Sequence, residues 1–107
     1  MKEVFISTRE VSKEKIHGIK TNSPYLVQGE PFWVIVYLYA IPGSRVSISI
    51  SSLGTMRKRK EEEAEKIIDG IFYQQFITPE GLRGLDVEVY IDKILWSHRR
   101  IHWIEMR

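Results

Sequence analysis

Apolar positions recur with period two along most of this chain, and that period predicts strands. The longest apolar run is Pro31–Ala40, PFWVIVYLYA, which is β-branched and aromatic almost throughout. At about ten residues it is too short to cross a bilayer as a helix. Phe32, Val34, Val36, Leu38 and Ala40 fall on one side, and Trp33, Ile35, Tyr37 and Tyr39 on the other. A strand apolar on both faces is a central strand with cover on both sides. The aromatic side asks for a cover beyond a simple two-sheet core, and a second subunit is one candidate.

The remaining elements follow from the same alternation. Val4–Thr8 predicts a first strand. Residues 9–24 are polar, contain His17 and end in turn-forming Asn22-Ser23-Pro24. Pro42-Gly43 suits the middle of a type II turn, whereas two-residue hairpins prefer the mirror-image types. The chain is therefore expected to arch there from one sheet to another. Arg45–Ser52 places Val46, Ile48 and Ile50 inward and Ser47, Ser49 and Ser51 outward, as in a half-buried antiparallel strand. Ile71–Thr78, Leu85–Asp92 and a last strand from Ile94 complete the set. Asp92-Lys93 forms the tight turn between the final two, and irregular alternation near Arg99-Arg100 suggests a bulge.

One segment is ambiguous. MRKRKEEEAEKIIDG, residues 56–70, is rich in helix formers, and Ala64, Ile67, Ile68 and Ile71 can share an apolar stripe. Its basic residues precede its acids, however, which opposes a helix dipole and reverses the better pairing order. The reading favours a charged edge strand or loop, with a short helix as the alternative. As a charged edge it would block edge-to-edge pairing.

About six or seven short strands with turns every ~8–12 residues indicate an all-β antiparallel sandwich or a barrel. The string Gly29-Glu30-Pro31-Phe32-Trp33-Val34-Ile35-Val36, then VSISI, then Asp69-Gly70-Ile71-Phe72, then Pro79-x-x-Leu82-x-Gly84-Leu85-x-Val87-x-Val89 resembles immunoglobulin-like sandwiches. It looks most like fibronectin type III and macroglobulin-type domains, over residues 25–106. Leu85 stands where many such domains carry a tyrosine, and there is no cysteine pair. The resemblance implies an adhesion or interaction module and brings no catalytic residue with it.

Composition narrows the classes. A chain of 107 residues that is 43% hydrophobic suits a single domain with an ordinary core. The absence of cysteine excludes disulfides and thiolate metal sites. The N-terminal MKEVFISTREVSKEK has no apolar stretch of the signal-peptide kind, so a cytoplasmic location is the expectation. Plentiful Ile, Lys and Glu with a single asparagine, Asn22, is a balance common in hyperthermophile proteins.

Candidate chemistry is sparse. His98 and His102 share a strand face, but Arg100 lies between them and would repel a cation, so no metal site is expected. Asp86, Glu88 and Asp92 read as the wet face of one strand. No phosphate loop or nucleophile motif is present, and no cofactor is expected. The C-terminal strand interleaves rings and cations: Trp96, His98, Arg99, Arg100, His102 and Trp103. Such a set suits stacking on single-stranded nucleic acid, and equally a protein hot spot. The expectation is a non-enzymatic module that binds protein, itself included among candidate partners, through this cluster and through Trp33, Tyr37 and Tyr39. The modest formal charge of +2 and the neighbouring acids argue against phosphate attraction. A small nucleic-acid-binding β-protein that uses the Trp96–Trp103 strand and Arg57–Lys60 is the alternative.

Overall fold

A computed structural model describes residues 3–7, 26–38, 43–52, 55–68, 70–79 and 84–102. Tyr39, Trp103, His17 and the polar stretch 9–24 lie outside them. The described strands are β1 (Glu3–Ser7), β2 (Pro31–Tyr37), β3 (Val46–Ser52), β4 (Thr55–Glu63), β5 (Glu65–Ile68), β6 (Ile71–Ile77), β7 (Gly84–Ile91) and β8 (Ile94–His102). They form two four-stranded sheets, ordered β1-β2-β6-β5 and β4-β3-β7-β8, and every pairing is antiparallel. The protein is therefore all-β in its described part. No helix there is long and apolar enough to cross a membrane.

β2 sits inside its sheet, between β1 and β6. Phe32, Val34, Val36 and Leu38 point into the space between the sheets, where Val46, Ile48 and Ile50 of β3 and Leu85, Val87 and Val89 of β7 meet them. Phe32 stacks on Phe76 across β2 and β6, with centroids 5.9 Å apart. Full burial of one such side chain stabilises by roughly 1.5–3 kcal/mol. The opposite face of β2 also carries an apolar cluster: Trp33, Ile35 and Ile71, with Phe5, Tyr37 and Tyr73 packed around them. Ile35 is fully buried and Trp33 is only 8% exposed in the single chain. Trp33 and Ile35 on this face are thus buried within the single chain, and Tyr37 is half-buried.

The charged segment 56–70 contains no helix. It becomes β4 and β5, each at the edge of a different sheet, with Ala64 as the whole of the connection. Ala64 still donates its N–H to the Val46 carbonyl at 2.8 Å, and Glu65 already pairs with Tyr73 in the other sheet. A small side chain packed on the core suits such a corner. Two causes favour strand. The charge order works against a helix, and β3 offers a row of N–H and C=O groups that β4 satisfies, Lys60 opposite Ile50 and Glu62 opposite Ile48.

The turns obey local chemistry. The chain arches from β2 in one sheet to β3 in the other, with Gly43 at φ +92°. Gly70, at φ +86°, closes the tight β5–β6 turn. Asp92 and Lys93 have φ of 49° and 69°, the mirror-image geometry of a two-residue hairpin. Asp92 tolerates it and also accepts a hydrogen bond on Oδ1 from the Arg45 N–H at 2.9 Å. Lys93 has no such compensation in its backbone geometry.

The serine side of β3 departs from a plainly wet face. Ser49 is only 1% exposed and lies directly between Glu61 of β4 and Glu88 of β7. An acid here would be partly desolvated and would face two carboxylates. Val36→Asp is expected to abolish folding, and Ser49→Asp to cost about 1–3 kcal/mol. Urea denaturation measures both; Ser49→Asp within error of the parent would refute the stacked-acid account. Lys93→Gly is expected to raise stability by about 0.5–1 kcal/mol, by relieving the left-handed backbone. An unchanged or lower denaturation midpoint would count against that.

Candidate binding surface on the C-terminal strand

β8 is the outermost described strand of its sheet and pairs only with β7. The register carries one irregularity, between Val89 and Tyr90, where Ser97 and Leu95 are the partners and Trp96 is the extra residue. The bulge therefore lies at Trp96 and not at Arg99-Arg100. It turns Trp96 against the core, where it is half-buried. Beyond it, alternation is regular. Arg99 falls opposite inward-facing Val87, while His98 and Arg100 fall opposite outward-facing Glu88 and Asp86.

These placements divide the polar side chains of β8. Arg99 is half-buried and its Nη1 donates to the backbone carbonyl of Val4, 2.6 Å away in the other sheet. It joins the edge of one sheet to the edge of the other. His98 Nε2 and Arg100 Nε each donate to the same oxygen, Oδ1 of Asp86, both at 3.1 Å. Next to them the Tyr90 hydroxyl donates to Glu88 Oε2 at 3.0 Å. Burial alone would push the Asp86 carboxyl up, but the hydrogen bonds and charges of Arg100 and His98 outweigh it and hold the group below its ordinary value.

The sequence-level site residues therefore do not converge. His98, Arg99, Arg100 and Trp96 are on β8, with His102 at the register position opposite Gly84. Trp33 and Tyr37 lie on the outer face of the other sheet. Trp33 is buried there, so its indole is not presented to a partner, and Tyr37 is half-buried with its ring edge-on to Phe5, centroids 5.3 Å apart. Two features were not singled out from sequence. Ile94 and Leu95 at the start of β8 are 72% and 50% exposed. An open cleft of about 330 Å³, lined by Arg45, Ser47, Glu61, Glu63, Asp92 and Lys93, lies near the same hairpin turn. Alternation marked Ile94 and Leu95 only as strand residues, and the cleft draws on β3 and the residue before it, β4 and a turn, which no local pattern links.

No family model matches this chain, and a search of curated proteins returns no match.

Asp86 gives a pH prediction. Its folded pKa is below the unfolded value near 3.8, so its contribution is fully present above that value and is lost as pH falls through the folded pKa. Asp86→Asn is expected to lower stability by about 0.2–1 kcal/mol at neutral pH, as for partly exposed ion pairs. The gap between parent and variant should close below about pH 4. Thermal melts from neutral to acid pH test this; a gap that persists at the acid end would show that the carboxylate charge is not the cause.

Proposed function

We propose that this chain is a non-enzymatic, immunoglobulin-like interaction module that binds protein through the β7–β8 hairpin. The observation that carries the reading is the state of the β8 side chains. Its arginines and His98 are engaged inside the chain, His98 and Arg100 on Asp86 and Arg99 on the Val4 carbonyl. Its apolar residues Ile94 and Leu95 are exposed instead. Phosphate binding needs cations free to neutralise phosphates and so release the counterions condensed on the nucleic acid. Protein binding needs accessible apolar anchors with a polar rim, which Leu95 beside His98 and Arg100 supplies.

The strand order supports the fold resemblance. The sequences β1-β2-β6-β5 and β4-β3-β7-β8 run parallel to the ABED and CFG sheets of constant-type immunoglobulin sandwiches, with β4 added beside the third strand. Fold alone does not give function; the side chains of the β7–β8 hairpin point to it.

Two measurements test it. Labelled single- and double-stranded oligonucleotides are expected to bind no tighter than the ~10⁻⁴–10⁻⁶ M of non-specific contacts, and Arg100→Ala should change nothing. A photo-crosslinking residue at position 95 should join one discrete protein partner, and Ile94→Asp should abolish the adduct. Tight, salt-sensitive oligonucleotide binding lost in Arg100→Ala would overturn the protein-binding reading.

A further inference from the structure

The open cleft of about 330 Å³ beside the Asp92-Lys93 turn carries both signs of charge. Its floor is Ser47, a small outward-facing residue of β3. Glu63 stands directly opposite Ser47 on β4, and Glu61 stands two residues away on the same strand. Arg45 precedes β3, and Lys93 belongs to the hairpin turn. Backbone hydrogen bonds fix both sides. Arg45 and Asp92 are stitched twice, Asp92 N–H to the Arg45 carbonyl and Arg45 N–H to Asp92 Oδ1, each at 2.9 Å. At the β4 end, the Ala64 N–H donates to the Val46 carbonyl at 2.8 Å.

The charges of the cleft differ in what they already hold. Asp92 Oδ1 accepts the Arg45 N–H, and Glu61 Oε1 accepts the Ser47 hydroxyl at 3.0 Å. The Arg45 guanidinium, the Lys93 ammonium and the Glu63 carboxylate have no ion pair or side-chain hydrogen bond among the described residues. We infer that the cleft binds a short zwitterion, an unblocked peptide of two or three residues, with its ammonium on Glu63 and its carboxylate on Arg45 and Lys93.

Charge and reach select this class. A ligand of one sign meets an attractive wall and a repulsive one, whereas a zwitterion is matched at both ends. Glu63 and Arg45 are one strand apart and two residues apart along the strands, roughly 8 Å between Cα atoms. A di- or tripeptide extends over roughly 7–11 Å. A free amino acid has both charges on one carbon and meets one wall at a time. The volume falls in the range of small-molecule sites, about 300–1,000 Å³. The cleft lies on the outer face of the sheet, and its lining does not include Ile94 or Leu95, so the inference does not depend on the hairpin binding a protein.

The test is titration of the full chain with triglycine, followed by the amide NMR shifts of Ser47, Glu63 and Lys93. Saturable shifts are expected, with a Kd of about 1 mM, as for a ligand held by a few exposed charged contacts. Acetyl-triglycine lacks the ammonium, and triglycine amide lacks the carboxylate. Each should bind about two- to fivefold more weakly than triglycine, and glycine more weakly still. Glu63→Gln should weaken triglycine by a similar factor and leave acetyl-triglycine no weaker. Arg45→Gln, which keeps its backbone N–H on Asp92, should weaken triglycine and leave triglycine amide no weaker. The blocked peptides need no variant, so they decide the matter even if a substitution disturbs the fold. Shifts that stay linear in triglycine, or equal binding of triglycine and both blocked forms, would overturn the inference.

Discussion

The two-sided burial of β2 is the constraint on which the rest of the molecule depends. Its aliphatic side builds the space between the sheets with β3 and β7. Its other side nucleates a second cluster around Ile35, which is as fully buried as Val34 and Val36. A strand with no wet face cannot sit at a sheet edge. It must have neighbours on both sides, which β1 and β6 provide, and a second sheet must lie across it. Every other strand has a freer choice of position.

The edges show what that freedom is used for. β1 and β5 are short, and β4 is heavily charged, which are ordinary ways of limiting stray pairing. β8 is long, and its rim is closed by contacts within the chain. Arg99 reaches the Val4 carbonyl across the open side of the sandwich, and Asp86 gathers His98 and Arg100 onto one oxygen. One arginine of the strand is thereby paired with a carboxylate, and the other is held on a neutral carbonyl. The same partition leaves Ile94 and Leu95 as the accessible part of β8, and it separates the surface suited to a protein from one suited to phosphate.

The connection through Ala64 illustrates how local and tertiary forces divide the work. Local propensity in residues 56–68 leans toward helix through Glu, Lys, Arg and Ala. The chain nonetheless pairs first with β3 and then with β6, changing sheets at one small residue. Unpaired backbone groups at two sheet edges outweigh a propensity difference of a few tenths of a kcal/mol per residue. The same change of sheet ties the layers at the end where the Asp92-Lys93 turn is stitched to Arg45, because Ala64 bonds the neighbouring Val46.

Period-two alternation was enough, by itself, to establish the all-β class, the central place of β2, the inward sides of β3 and β7 and the final hairpin. Those features follow from which residues must leave water, a property of each segment alone. The turn at Asp92-Lys93 and the arch near Gly43 were legible for a similar reason, since turn geometry is set by a few adjacent residues. Only the tertiary structure decided the rest. The fate of 56–68 depended on unpaired edges elsewhere in the chain. The burial of Trp33 and Ser49 depended on neighbours from other strands. The binding character of β8 depended on Asp86, twelve and fourteen residues before the side chains it holds, and on Val4, ninety-five residues before Arg99. Charge and exposure are properties of what stands opposite, and no stretch of sequence carries its own opposite side.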